Sequence, residues 1–257
     1  MTGRRAHGSE GFGLFGRLRV VLRLAAIVGW LGACVVLYYG WRLAGAVPAR
    51  NPWPRRFLGG IARLAGVRMR AEGVAARPGT FLIANHVSWI DIPALAALSG
   101  AAFVAHDGLA GIPVLRRLCE MNRTVFVARH DRAGVARQVA QVRAAIGLGE
   151  VLAIFPEGTT ADGTTLRPLK SSLLSALDPL PPGIVVQPVL LDYGPEARDI
   201  AWVGQEPGID NFLRILARRR PVTLTVRFLP PLTGEALASR KTIADAAGRA
   251  LETALKG

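Results

Sequence analysis

Short apolar runs alternate with amphipathic stretches over most of this 257-residue chain. Runs rich in valine, isoleucine and leucine that are bounded by glycine or proline predict strands, and apolar positions at helical spacing predict helices. The predicted strands are residues 67–71, 80–84, 102–105, 124–127, 150–155, 184–191, 200–203 and 222–228. The predicted helices lie near residues 89–99, 112–119, 133–147, 170–177, 208–219 and 239–255. Alternation of this kind predicts an α/β sheet with helices on both faces.

The N-terminal part has a different pattern. From Leu24 to Trp41 the chain carries no charged residue, and at ~1.5 Å per helical residue this run is just long enough to cross a bilayer. A secretory signal would have a shorter apolar core followed by small residues at a cleavage site. Trp30, Tyr38 and Tyr39 instead favour an aromatic belt at a membrane interface. We therefore expect a retained membrane anchor.

The orientation of this anchor stays open, because arginines flank the apolar run on both sides. The segment either enters and returns on one face of the membrane or lies in one leaflet beside residues 53–67. There Trp53, Phe57 and Ile61 recur at helical spacing among arginines, as in an interfacial amphipathic helix, although an ordinary core-packed helix has the same spacing. We expect an N-terminal membrane segment at residues 1–66, followed by one α/β domain.

The net charge of +14 and the pI of about 11.3 come almost wholly from arginine. Such a field attracts anionic lipid surfaces, phosphorylated substrates, acidic carrier proteins and nucleic acids. A nucleic-acid module would interleave basic and aromatic side chains, but aromatic residues make up only 7% of the chain, so we expect no nucleic-acid partner. The two cysteines, Cys34 and Cys119, have neither metal-site spacing nor a disulfide pattern.

Two polar motifs each follow an apolar run that predicts a buried strand: NHVSWID at residues 85–91 and FPEGT at residues 155–159. In open α/β sheets, ligands bind beyond the carboxyl ends of the strands. A histidine takes a proton from an alcohol, and a carboxylate on its other ring nitrogen fixes the tautomer and stabilises the imidazolium. We predict that His86 is a general base oriented by Asp91. The pair is half of a serine-protease triad without the nucleophile, and we infer that the substrate brings the hydroxyl.

The five-residue separation of His86 and Asp91 requires a turn between them, because on one straight helix their side chains would lie about 140° apart. Ser88 is predicted to cap a helix that begins at Trp89, with Asp91 folding back on His86 from its first turn. The same spacing, Ser88-x-x-Asp91, is also a capping box, which gives Asp91 a purely structural alternative.

Both motifs, in this order, resemble the signatures N-H-x-x-x-x-D and F-P-E-G-T of the glycerolipid acyltransferases, the family of 1-acylglycerol-3-phosphate acyltransferases. The resemblance covers about residues 65–230. It implies a single mixed sheet flanked by helices, with residues 67–257 as the catalytic domain. It also implies direct acyl transfer with His86 and Asp91 as the catalytic pair and no acyl-enzyme.

The resemblance further assigns Glu157, Gly158 and Thr159 to substrate binding and lets Arg129 grip the phosphate of the acceptor by a bidentate contact. The glycine lets backbone N–H groups approach a ligand. Glu157 has an alternative as a turn carboxylate, and Arg129 has one as a solvated charge.

The chain departs from the family pattern at two positions. Many members carry arginine after E-G-T, where this chain has Thr160, and many carry lysine where it has His106. The first difference weakens a phosphate-binding role for position 160. Residues 157–170, EGTTADGTTLRPLK, look like a bacterial subset in which E-G-T-T precedes a glycine and a basic stretch.

The function implied is that of a membrane-bound O-acyltransferase on the cytoplasmic face of a bacterial inner membrane. It would move an acyl chain from a thioester to the free sn-2 hydroxyl of 1-acylglycerol 3-phosphate, giving phosphatidate for phospholipid biosynthesis. The alternative acceptor is a lyso-ornithine lipid, which lacks phosphate, so that Arg129 would matter less. The donor is acyl-CoA or acyl-carrier protein. Lysophospholipid, donor and membrane lipids are the expected partners, without any other cofactor or metal.

Other enzyme classes find little support. The pairs His106-Asp107 and His130-Asp131 resemble ligands of metal-dependent phosphohydrolases, but those all-helical enzymes need more ligands than this chain offers. The chain has no G-x-S-x-G elbow, no Walker loop and no dinucleotide fingerprint between a strand and a helix.

Overall fold

A computed structural model describes residues 13–45, 51–74, 77–106, 113–127, 135–147 and 149–257. A seven-stranded sheet forms the centre of the described part, in the order β1-β7-β6-β2-β5-β3-β4. The strands are β1 (Val67–Gly73), β2 (Thr80–Ala84), β3 (Ala102–His106), β4 (Val125–Val127), β5 (Leu152–Ile154), β6 (Val185–Asp192) and β7 (Val222–Phe228). Neighbouring strands are parallel except β6 and β7, which are antiparallel. The expected single mixed sheet is confirmed.

Helices cover the sheet. They are α1 (Leu14–Leu43), α2 (Trp53–Leu64), α3 (Asp91–Ser99), α4 (Pro113–Met121), α5 (Val135–Gly147), α6 (Ala197–Ile200), α7 (Gly208–Ala217) and α8 (Arg240–Lys256). Short 3₁₀ helices lie at Ser171–Leu177, Gly194–Glu196 and Gly234–Leu237. The strand predicted at residues 200–203 is wrong. The N–H of Trp202 donates to the carbonyl of Val87, so this segment bonds the first motif loop instead of joining the sheet.

The central strand β2 shows why the sheet is buried on both faces. All five of its residues are buried. Leu82 packs in an apolar cluster with residues from α2, α3 and α7, whereas Phe81 and Ile83 pack in a second cluster with α8 and the 3₁₀ helix after Lys170. Parallel strands covered on both faces give continuous apolar runs rather than alternation, which is the pattern seen here.

Helix α1 lies along the α/β part over most of its length. Near its start, Arg19 donates to the last carbonyl of α7 at 2.6 Å. At mid-length, Trp30 Nε1 donates to the carbonyl of Phe57 in α2, and near its end the hydroxyl of Tyr39 accepts from Arg117 of α4. The helix is long and apolar enough to cross a membrane. Its other side exposes large apolar side chains such as Val36, 70% exposed.

Candidate active site

Three loops meet at one edge of the sheet because β2 is parallel to both of its neighbours, β5 and β6. The carboxyl ends of these strands therefore point the same way. Asn85, the first residue after β2, is 2% exposed. It connects the carboxyl end of β2 to that of β6. Its side-chain amide donates to the carbonyl of Leu191 at 3.1 Å, and its side-chain oxygen accepts from the N–H of Leu191 at 2.7 Å. The first residue of the N-H-x-x-x-x-D motif thus ties β2 to β6.

The structure brings His86 and Asp91 together as predicted from their spacing. Nδ1 of His86 lies 2.8 Å from Oδ2 of Asp91. The Asp91 side chain is fully buried, whereas that of His86 is 18% exposed. The contact at Nδ1 directs Nε2, on the other side of the ring, away from the carboxylate.

The predicted helix cap is wrong, because the helix begins at Asp91 and the side chain of Ser88 does not cap it. The N–H groups of Val87 and Ser88 both donate to Oδ2 of Asp91, at 2.6 and 2.9 Å. The Ser88 hydroxyl donates instead to Oδ1 of Asn211 at 3.4 Å. Only the carboxylate half of the capping box is present, so Asp91 both orders the turn and contacts His86.

Tyr193 is a site residue that the sequence reasoning missed. It follows β6 directly, and its hydroxyl donates to Oδ1 of Asp91 at 2.5 Å. Burial, together with the charge of Asp91 and this hydrogen bond, raises the pKa of Tyr193 well above its usual value. The residue is therefore a neutral donor. Its position directly after a strand could have identified it from the sequence, because the two motifs were found by the same criterion.

Glu157 connects the second motif to the first. It is 1% exposed. Its Oε1 accepts from the N–H of His86 at 2.8 Å and its Oε2 from the N–H of Arg167 at 3.0 Å. Burial raises the pKa of Glu157, while these two bonds oppose the rise. Both oxygens thus bond backbone. Substrate binding by Glu157 stays a prediction, and the contacts observed are those of a residue that holds two loops together.

Gly158 lies beside a positive charge. Its φ of +72° is in the left-handed region, and a Cβ added there would lie 2.7 Å from Nζ of Lys170. The N–H of Lys170 donates to the carbonyl of Pro156 at 2.9 Å. The ammonium therefore lies over the glycine of the second motif, and Thr159 next to it is exposed.

The side chain at position 160 points into the protein, unlike the exposed Thr159. Thr160 is 9% exposed, and its hydroxyl donates to the carbonyl of Trp202. The side chain that replaces the arginine of many relatives is therefore turned into the protein.

Aromatic rings lead from His86 to an apolar cavity. The imidazole stacks on Phe155 with ring centres 4.2 Å apart, and Phe155 stacks on Phe103 at 5.9 Å. Phe103 lines a cavity of about 230 Å³ between α1, α2, α3 and α4. Cys34 of α1 and Cys119 of α4 both face it as free thiols.

Some predicted positions fall outside the described residues. These are Arg129, the pair His130-Asp131, Asp107 and the side chain of His106. The role assigned to Arg129 stays a prediction.

Comparison with known proteins gives the family. A model of the acyltransferase family matches residues 67–192. The lyso-ornithine lipid O-acyltransferase of Pseudomonas aeruginosa is 32% identical over 94% of this chain and 95% of its own length. The chain belongs to the glycerolipid acyltransferase family. It is an acyltransferase that acts on lysolipid-like substrates, as its sequence resemblance implied.

Two further comparisons extend this result. The 1-acyl-sn-glycerol-3-phosphate acyltransferase of Neisseria gonorrhoeae is 34% identical over 59% of this chain and 59% of its own length. The crystal structure of the 1-acyl-sn-glycerophosphate acyltransferase of Thermotoga maritima is 18% identical, with a TM-score of 0.64 over 94% of this chain and 96% of that one. The second likeness shows that the acyltransferase shares its fold.

Proposed function

We propose that this acyltransferase esterifies the hydroxyl of a lyso-ornithine lipid, using an acyl thioester as donor. The sequence alone favoured 1-acylglycerol 3-phosphate and kept lyso-ornithine lipid as the alternative. The comparisons support the alternative: similarity to the Pseudomonas enzyme extends over 94% of the chain, whereas similarity to the Neisseria enzyme extends over 59%.

The observation that carries the proposal is the orientation of Thr160. A phosphate monoester carries close to two negative charges at neutral pH and is bound well by arginine. At position 160 this chain has a buried hydroxyl bonded to the carbonyl of Trp202. A lyso-ornithine lipid has a carboxylate and an amine but no phosphate. Its single anionic group matches the ammonium of Lys170, which lies over Gly158.

The proposed mechanism uses His86 as the base. Nε2 takes the proton of the lipid hydroxyl while Asp91 stabilises the imidazolium through Nδ1. The oxygen attacks the thioester carbonyl, the tetrahedral intermediate expels the thiolate, and His86 returns the proton to sulfur. One ester bond forms and one thioester bond breaks, with no acyl-enzyme.

The N–H groups of His86, Val87 and Ser88 are not the donors that stabilise the tetrahedral oxyanion. The N–H group of His86 bonds Glu157, and those of Val87 and Ser88 bond Asp91. An oxyanion hole needs donors aimed at the developing charge, and these three amides are aimed at carboxylates. Other groups at the site must supply the contact.

The apolar cavity is the proposed seat of an acyl chain. Each buried methylene contributes about 0.8 kcal/mol, and Phe103 joins the cavity to His86 through the ring of Phe155. Since α1 and α2 line the cavity, a lipid that enters between them from the membrane reaches the base without crossing water.

The contacts between α1 and the α/β part support an anchor that stays on one side of the membrane. Helix α1 bonds the α/β part near its start through Arg19 and near its end through Tyr39. A helix held along its length in this way lies in one leaflet with α2. We place it in the cytoplasmic leaflet of a bacterial inner membrane, where acyl-CoA and acyl-carrier protein are available.

Purified full-length enzyme in detergent micelles tests the acceptor. Lyso-ornithine lipid and 1-acylglycerol 3-phosphate are each offered with acyl-carrier protein and acyl-CoA donors of one chain length, and products are identified by mass spectrometry. We expect kcat/KM to favour lyso-ornithine lipid by about 100-fold, equivalent to two tenfold steps of about 1.4 kcal/mol. Preferred formation of phosphatidate would overturn the acceptor assignment, and turnover by His86→Ala close to that of the wild type would overturn the mechanism.

A further inference from the structure

Tyr193 reaches from the exit of β6 to the loop after β2. Its side chain is buried, with 2% of the residue exposed, and its hydroxyl bonds Oδ1 of Asp91. The distance between the two exits is set by Asn85, which exchanges two hydrogen bonds with the backbone of Leu191. Leu191 lies two residues before Tyr193 on the same segment. The phenol is therefore held against the carboxylate by backbone on both sides.

The hydrogen bonds to Asp91 are divided unequally between its oxygens. Oδ2 accepts from Nδ1 of His86 and from the N–H groups of Val87 and Ser88. Among the described residues, the donor to Oδ1 is Tyr193. Rotation of a carboxylate about its Cβ–Cγ bond is more restricted when both oxygens accept hydrogen bonds. The tyrosine hydroxyl completes the set that keeps Oδ2 on the imidazole.

We propose that Tyr193 is a positioning residue for acyl transfer, which acts on His86 through Asp91. Its hydroxyl fixes the plane of the carboxylate and withdraws charge from it. The inference rests on the proposed role of His86 and Asp91 and is independent of which lysolipid is the acceptor.

The electrostatic consequence has a definite sign. A neutral donor on Oδ1 stabilises the ionised carboxylate and makes it a weaker base. Removing the donor leaves more negative charge on Oδ2, which favours the imidazolium over the neutral imidazole. The base is then available only at higher pH. Among the described residues, Glu157 is the other ionisable group in contact with His86, through its backbone, and the ring that covers the imidazole is the uncharged Phe155.

Tyr193→Phe in the full-length enzyme tests the proposal, with whichever lysolipid the wild type accepts. We expect kcat to fall about 10-fold, less than the roughly 10²–10⁴-fold that general-base catalysis contributes in full, with both KM values within about 2-fold of the wild type. The acid limb of the pH profile should move up by about half a pH unit. Ser99→Ala is the control, because it also removes a buried hydroxyl, one that donates to the carbonyl of Leu95 and accepts from the N–H of Ala101; it should leave the acid limb in place.

A double-mutant cycle separates positioning from a general packing role. In the Asp91→Asn background, Tyr193→Phe should cost at most about 2-fold in kcat, because the group through which Tyr193 acts is already altered. Two results would overturn the proposal: an unmoved acid limb in Tyr193→Phe, or losses that multiply in the double variant.

A second probe that retains the phenol tests the proposal even if Tyr193→Phe does not fold. Site-specific 3-fluorotyrosine at position 193 makes the phenol more acidic and hence a stronger donor. The acid limb should then move to lower pH, opposite to its shift in Tyr193→Phe. A profile equal to that of the wild type, with fluorotyrosine incorporation verified by mass spectrometry, would contradict the inference. His86→Ala tests the underlying mechanism separately.

Discussion

Glu157 holds His86 by its backbone: Oε1 of the glutamate accepts from the N–H of the histidine at 2.8 Å. The other carboxylate oxygen accepts from the N–H of Arg167. The glutamate of the second motif thus anchors the loop that carries His86, the proposed base.

Glu157→Gln should impair folding and catalysis more than acceptor binding. A glutamine offers one acceptor and one donor, so that its amide group faces a backbone N–H without a partner. Leaving such a buried group unsatisfied costs about 1–3 kcal/mol. We expect a lower midpoint of thermal unfolding and a lower kcat with little change in the KM for the acceptor. Glu120→Gln, at an exposed ion pair on α4, is the control. A rise in acceptor KM with unchanged stability would instead support direct substrate binding by Glu157.

Asp162 should stabilise the loop after the second motif in a pH-dependent way. Burial opposes ionisation, but hydrogen bonds from the backbone and hydroxyls of Thr164 and Thr165 outweigh it and lower the pKa of Asp162 to about 2. Because the pKa is lower in the folded protein, the contribution is present above the ordinary value of 3.8 and is lost as pH falls toward about 2.

Thermal unfolding of Asp162→Asn against the wild type measures this effect. The variant should unfold at a lower temperature near neutral pH, and the gap should close as the pH falls below 3.8. Asp210→Asn, at the exposed start of α7, is the comparison. A gap that stays constant down to the lowest pH would show that the charge of Asp162 contributes nothing.

Lys170 should contribute to acceptor binding. Lys170→Gln removes the ammonium that lies over Gly158. We expect the KM for lyso-ornithine lipid to rise about 2- to 5-fold, since an exposed charge pair contributes about 0.2–1 kcal/mol. The KM for the thioester should stay constant. Lys170→Arg should retain most of the binding, and Lys241→Gln on α8 is the matched control. Equal changes in this KM for Lys170→Gln and Lys241→Gln would contradict a role of Lys170 in acceptor binding.

Narrowing the cavity should shorten the preferred acyl chain. Cys119→Phe places a ring in the cavity that Phe103 joins to the site. Each methylene excluded costs about 0.8 kcal/mol, or about 4-fold in kcat/KM. Competition between thioesters of different length, read by mass spectrometry of the products, measures the shift. Val36→Phe, on the exposed side of α1, should leave the preference unchanged, and so would Cys119→Phe if the cavity held no chain.

The sequence located His86 and Asp91 because the information is local: an apolar run, a strand exit and a five-residue loop. Tyr193 escaped because its contact with Asp91 depends on β6 lying beside β2, more than 100 residues away along the chain. Strand order is not encoded in any short pattern. The prediction that Ser88 caps the helix was wrong for a related reason, since its hydroxyl donates to Asn211, which is distant along the chain.

The wrong strand at residues 200–203 shows the limit of apolar runs. Ile200 and Ala201 are buried in the apolar cluster that also contains Val87 and Ile90 of the first motif, and the backbone N–H of Trp202 donates to the carbonyl of Val87. A short buried segment looks the same in sequence whether its backbone pairs with a strand or with a loop.

Helices α1 and α2 form one wall of the cavity. The N-terminal segment therefore contributes to the cavity as well as to membrane attachment. Cutting the chain before β1 to obtain a protein that dissolves without detergent would remove Leu31, Cys34 and Phe57 from that wall and open the binding space to water. With the role proposed for this cavity, a shortened chain that gains solubility loses the seat of the acyl chain.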